Sequence, residues 1–238
     1  MELNSVELAL KELYDDWTLG NAKNNHGDYS AMFRMGFPKE YIGSKRPLLM
    51  YVGQECLRCT SQKTQIWVRN YQNVQRTKVP NKDETPNQSP FWEFYRSLCT
   101  LGFDSLWNNL DKLHLWDRKN VQNGLPGTVT LTREDAKALN APYGPEGLSV
   151  LQREIQLLKP RMVLFAIGPQ EKYRASLAAA FSVDERLLCS YKPTRKQCVR
   201  DISALLGLED TVVLWTYHPK YLRIGKLEAV ALTEISRA

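Results

Sequence analysis

The sequence predicts one α/β domain over residues 1–238: three α/β/α layers, with helices on both faces of a short central parallel sheet. Three observations predict it. Continuous apolar runs of strand length at 48–52, 162–167 and 212–216 alternate with stretches of helical period. Those runs lack the alternation of a half-exposed strand, as expected of strands covered on both faces. The 238 residues, 43% apolar and 24% charged, suffice for one sizeable core, and neither an internal repeat nor a linker divides them.

The elements follow in order. Residues 5–17 place Val6, Leu10, Leu13, Tyr14 and Trp17 on one side of a helix, with acids opposite. A polar stretch leads to the first strand, 48–52 (LLMYV), which ends at Gly53. Residues 76–90 form a loop with three prolines, and Ser89-Pro90 opens the apolar helix FWEFYRSLCTL, where a first-turn proline costs least. A second strand is expected over 103–109. Polar inserts are expected near 56–90 and 117–147. A helix at 148–158 stops at Lys159-Pro160, and the strand 162–167 ends at Gly168-Pro169. Residues 170–181 read as helix, 186–191 as a strand and 197–206 as a helix. The last strand is 212–216, and a helix from about Gly225 closes the chain.

Composition narrows the function classes. No apolar run approaches the ~18 residues of a membrane span. The acidic, amphipathic first seventeen residues are unlike an export signal, and five cysteines, an odd number, fit reduced thiols in a cytoplasm. A secreted, membrane or disulfide-framework protein is therefore not expected. The net charge of +6 is unevenly spread. Residues 56–82 hold Arg58, Lys63, Arg69, Arg76, Lys78 and Lys82 with no acid; 186–200 and 211–227 are also basic and acid-free. Such segregation points to a face for a polyanion, the plain alternative being solvated surface.

In parallel sheets of this kind the crevice lies beyond the carboxyl ends of the strands. The residues arriving there are Gly53-Gln54-Glu55, Asn108 and Asn109, Gly168-Pro169 and Tyr217-His218-Pro219. Glu55 leaves its strand through a glycine, either as a carboxylate facing the cleft or as an exposed acid paired with Arg58. His218 is one of three histidines, and Pro219 pushes its backbone toward an extended form. Asn109 can present an amide to a base edge, while a turn or cap is the ordinary use of asparagine, and Asn108 competes for the assignment.

Taken in order, the strand with Gly53-Gln54-Glu55, Pro90-Phe91-Trp92, Trp107-Asn108-Asn109-Leu110, Lys159-Pro160 leading to Gly168, and His218-Pro219 resemble the uracil-DNA glycosylase superfamily, over about residues 46–226. The resemblance implies that Glu55 orients water and stabilises the sugar cation, and that His218 stabilises charge on the departing base. It implies that the Gln54 backbone holds the flipped base and that Phe91, with Trp92 as competitor, stacks on it. Asn109, or else Asn108, reads the base. Lys220, Tyr221, Leu222 and Arg223 correspond to the loop that contacts DNA and wedges into the vacated stack, and the basic Arg58 and Lys63 would contact phosphates. No metal or redox cofactor is required, no lysine is placed for a Schiff base, and a monomer acting on DNA is expected.

The sequence departs from the pattern of the uracil enzymes at two places. Cys56-Leu57-Arg58 replaces the Pro-Tyr-His that follows the acidic residue, and Lys220-Tyr221 replaces the Ser-Pro after His-Pro. The tyrosine that crowds position 5 of a pyrimidine is thus missing. Within the superfamily the chain looks most like bacterial anti-phage glycosylases that remove glucosylated 5-hydroxymethylcytosine, with uracil repair or an inactive DNA-binding module as alternatives. Cys56-x-x-Cys59 with Cys189 and Cys198 could bind zinc, but buried small hydrophobes are the commoner use of cysteine.

Overall fold

A computed structural model describes residues 3–21, 32–55, 65–80, 85–122 and 125–238. The central sheet has five strands: β1 (Leu48–Glu55), β2 (Asp104–Asp111), β5 (Met162–Phe165), β6 (Val199–Asp201) and β7 (Val212–Thr216), in the order β2-β1-β5-β7-β6. The first four are parallel, and β6 runs antiparallel to β7 at the edge. A separate antiparallel hairpin, β3 (Leu115–Gln122) with β4 (Leu125–Val129), follows β2.

Helices α2 (Gln65–Thr77), α3 (Pro90–Thr100), α8 (Pro219–Ile224) and α9 (Glu228–Arg237) pack together as one layer. The other layer contains α1 (Ser5–Asn21), α4 (Arg133–Asn140), α5 (Val150–Leu158) and α6 (Glu171–Ala180), with α7 (Glu185–Ser190) against α6. This is the three-layer α/β/α architecture that the apolar runs imply. Its core is centred on Leu49–Val52, Met162–Ile167 and Val213–Trp215, all buried on both sides of the sheet. Among the described residues, no helix is long and apolar enough to cross a membrane.

Local chemistry sets the boundaries. Ser149 caps α5 with a reciprocal capping box to Gln152, and Lys159 ends it in the left-handed region ahead of Pro160. Pro90 occupies the first turn of α3, where its absent N–H is no loss. The two rims of the sheet are limited in different ways. At β2, the Gln72 side chain accepts from the Trp107 N–H, and the Tyr41 and Tyr95 hydroxyls donate to the Ser105 carbonyl. At the far rim, β6 is only three residues long.

Four expectations need correction. Residues 186–190 are helix rather than strand, because Asp184 accepts from the Arg186 N–H and starts α7. Within 197–206 there is the strand β6 and then a turn, because Asp201 binds both the N–H and hydroxyl of Ser203 and breaks any helix there. The 56–90 insert contains α2, and the 117–147 insert contains the β3–β4 hairpin and α4. The first two strands run on to Glu55 and Asp111, past the expected ends at 52 and 109, so Gly53-Gln54-Glu55 lie inside β1.

A candidate base-binding and catalytic site

The chain passes from β1 through α2 and α3 in one layer to β2, then returns through α4 and α5 in the other layer to β5 on the opposite side of β1. The reversal makes the carboxyl ends of β1 and β5 the switch point of the sheet, where such folds open a crevice. The ladder between them ends at Val52 and Phe165, and Gln54 lies beyond that last rung. Its side-chain amide donates to the Ile167 carbonyl at 2.7 Å, bridging the two strand ends. Glu55 is the final residue of β1, in register with Asp111 of β2. The Glu55 side chain, Arg58 and Lys63 lie outside the described residues.

Gly53 sits opposite Asn109 in the ladder, and its missing side chain is essential there. A Cβ at this position would lie 2.8 Å from the Phe91 ring and 3.0 Å from the Asn109 Oδ1. Phe91, the second residue of α3, therefore rests directly on the strand. Its ring stacks on Tyr51 at 4.6 Å and lies near-parallel to the His218 ring at 6.0 Å, 24° between planes. Gly168, at φ +73°, follows β5, and a Cβ built on it would lie 3.5 Å from the His218 backbone nitrogen. Of the two aromatic candidates, Phe91 is the one beside Gly53 and His218. Trp92 turns the other way and is buried against Tyr71, Tyr95 and Trp107.

The two asparagines separate cleanly. Asn108 belongs to the opposite face of β2: it donates to Glu154 at 2.8 Å, and its Oδ1 accepts from the Lys112 ammonium and from the Asn109 N–H. Every polar group of that side chain is committed to the core. Asn109 accepts at Oδ1 from the Trp107 Nε1–H at 3.1 Å, which fixes the amide plane. Its Nδ2 is buried and has no hydrogen-bond partner among the described residues. A buried donor left unmatched costs about 1–3 kcal/mol, so an amide held in this way is prepared for an acceptor.

Behind Asn109 lies a buried ionic network that the sequence did not disclose. Lys112 pairs with Glu154 at 2.8 Å, and Glu154 also accepts from the Tyr14 hydroxyl at 2.6 Å. Burial pushes Lys112 below the ordinary lysine range while Glu154 pulls it back; burial and Glu154 together hold Tyr14 well above its usual value, so it remains a donor. The available clue was a lysine directly after a strand, three positions past Asn109, but its partner is 42 residues away.

His218 terminates the segment after β7 and caps α8. Its Nδ1 accepts from the Lys220 N–H at 3.3 Å, which leaves the ring proton on Nε2. Burial, aided by the Lys220 charge, pushes its pKa down to about 4, so the ring is neutral at physiological pH. Beyond it Lys220 and Tyr221 are exposed, and Arg223 is bound by Glu93 of α3 and, at 3.5 Å, by Glu228. Leu222 requires correction as a wedge: it is fully buried beneath α8, and the exposed apolar side chains of that helix are Tyr221 and Ile224.

The basic windows divide as well. Lys192, Arg195 and Lys196 are exposed in the loop entering β6, whose first residue pairs with Thr216 at the carboxyl edge beside the site. Arg69, by contrast, is buried and bound by Glu7 of α1. Cys189 is half-buried and Cys198 buried near Glu234; Cys56 and Cys59 lie outside the described residues. Among the described residues no cluster of three or more His, Cys, Asp or Glu side chains could hold a metal ion. The chain matches no family model, and no curated protein matches it significantly.

Proposed function

We propose that the chain is a monofunctional DNA glycosylase acting in the cytoplasm, flipping a modified pyrimidine out of DNA and hydrolysing its N-glycosidic bond. The observation that carries this reading is the buried, unmatched Nδ2 of Asn109, set beside the Phe91 ring and facing the same crevice edge as a neutral His218. A base inside a duplex is reachable only when extruded, which costs a few kcal/mol of stacking. Exposed Lys192, Arg195, Lys196 and Lys220 supply the compensating phosphate attraction, and Tyr221 or Ile224 offers an apolar face for the vacated stack.

The base stacks on Phe91, displacing the ring from the Asn109 amide. Asn109 Nδ2 then donates to a base acceptor, and the amide oxygen retains a lone pair for a base donor. As the C1′–N bond breaks, positive charge collects on the sugar and negative charge on the base. Glu55, leaving β1 at the switch point, is assigned to the sugar cation and the attacking water. The His218 Nε2–H donates to the anionic base, a role that a neutral ring fills without first giving up its proton. Each well-placed group of this kind contributes roughly 3–4 kcal/mol to the transition state. The missing tyrosine gate after Glu55 suits a pyrimidine enlarged at position 5. Glucosylated 5-hydroxymethylcytosine of phage DNA is the substrate we assign, and uracil is the competing one.

The test incubates the protein with three DNAs, uracil-containing, unmodified, and glucosylated hydroxymethylcytosine-containing, and identifies the released base by mass spectrometry. Abasic sites confined to the glucosylated DNA are expected. Release of uracil alone would assign the chain to ordinary repair, and no abasic sites in any DNA would overturn both substrate assignments and leave a DNA-binding module or another base. Glu55→Gln should abolish release while sparing DNA binding; release at the wild-type rate would remove Glu55 from the mechanism.

A further inference from the structure

A cavity of about 820 Å³ lies outside the site, along α3 and the C-terminal end of α2. Its walls carry Arg46, Arg76, Lys78 and Arg96, with Glu93 at one end and Thr100 near the other. Arg46 donates to the Cys99, Gly102 and Phe103 carbonyls, and Arg96 to the Gln75 and Asn87 carbonyls. Bonds of this kind fix the guanidinium groups without neutralising them, and each arginine keeps further donors. Two of the four cations have carboxylate partners, Arg46 with Asp104 at 3.6 Å and Arg76 with Glu40 at 2.5 Å. Arg96 and the exposed Lys78 have no acidic partner among the described residues. A concave, low-dielectric wall focuses such charge far more than a flat face does.

The position of the trough gives it a use. Glu93, two residues after Phe91, reaches across to Arg223 of α8, so the trough opens beside the proposed DNA-contacting helix. From Glu93 to Thr100 the helix advances about 10 Å, enough for two adjacent phosphates of one strand. We propose that this trough carries the sugar–phosphate backbone of one DNA strand away from the flipped nucleotide, with Arg96 and Lys78 contacting successive phosphates. The assignment rests on the glycosylase reading above and extends the DNA footprint from the carboxyl edge down the side of the α2–α3 layer.

The test is fluorescence anisotropy of the full chain on a duplex of about 30 bp, titrated at salt concentrations between about 50 and 200 mM. Lys78→Asn suits the left-handed backbone at this position (φ 59°), and Arg96→Gln removes the second charge. Lys137→Gln, an exposed lysine on α4 in the opposite layer, is the control. The double variant should lower the magnitude of the log–log salt slope by about two and weaken binding about tenfold, while the control changes neither. Thermal melts identify any folding defect from the lost Arg96 carbonyl bonds, in which case Lys78→Asn alone should lower the slope by about one. A folded Lys78→Asn or double variant with the wild-type slope overturns the trough. Inorganic phosphate that stabilises the wild type but not Lys78→Asn, with DNA slopes unchanged, would identify a site for free phosphate and likewise overturn it. A wild type that binds no DNA overturns the glycosylase reading itself.

Discussion

A single absent side chain sets the spacing of the site. Because Gly53 has no Cβ, Phe91 and the Asn109 amide both reach the strand, and Gly53→Ala would force them apart by tenths of an ångström to an ångström. The variant should fold with a loss of roughly 1–3 kcal/mol, yet release base about 100-fold more slowly in single-turnover assays. His218 makes a second prediction. Its folded pKa of about 4 lies below the usual 6.5, so between those values the unfolded chain binds more protons. The stability contributed by the neutral ring is complete above about pH 6.5 and is lost as the pH falls toward 4. The ring resonances of His218 in NMR spectra should titrate near 4, and any acid limb of base release due to this residue should lie there too. Gly53 and His218 were legible because each follows an apolar strand run, and Asn109 because it ends the strand expected over 103–109. The resemblance favoured Asn109 over Asn108 and Phe91 over Trp92, but the residues alone did not decide the choice. It depends on which face of a strand or helix each neighbour takes, and a one-residue shift reverses that.

Among the elements, α5 and β2 are joined by the Lys112–Glu154 pair, and the pair supports Asn109 through Asn108. Removing one partner of a buried ion pair leaves an uncompensated charge, which costs roughly 3–5 kcal/mol. Lys112→Met should therefore lower the melting temperature by roughly 10 °C. Lys112→Met combined with Glu154→Gln should recover most of that loss, since no bare charge remains. A double-mutant cycle from urea melts checks it; additive losses would mean that the two groups do not interact. The strands β1, β5 and β7 were readable as unbroken apolar runs. Helix α2 was hidden because its buried face includes Gln65, Arg69, Gln72 and Gln75, polar residues whose partners lie on α1, on β2 and in the segments before β1 and α3. The strand β6 was missed for the opposite reason: three residues pair with β7, too few for any period to emerge.

At the scale of the whole molecule, alternation of strand and helix was enough to give the layers, while the distribution of charge was only half legible. A run of basic residues does not say which of them remain at the surface. Arg69 is consumed by Glu7 from 62 residues away, whereas Lys192, Arg195 and Lys196 stand exposed at one edge and Arg96 and Lys78 line one side. The rims of the central sheet have a consequence of a different kind. An unpaired strand edge is a template on which another chain can add a strand. Here the β2 edge is occupied by the Gln72 amide and by two tyrosine hydroxyls, and the β6 edge offers only three residues. Among the described residues the folded chain thus gives amyloid-type growth little edge to build on in this sheet, and longer cross-strand pairing along β2 has to wait for local unfolding of α2 or α3.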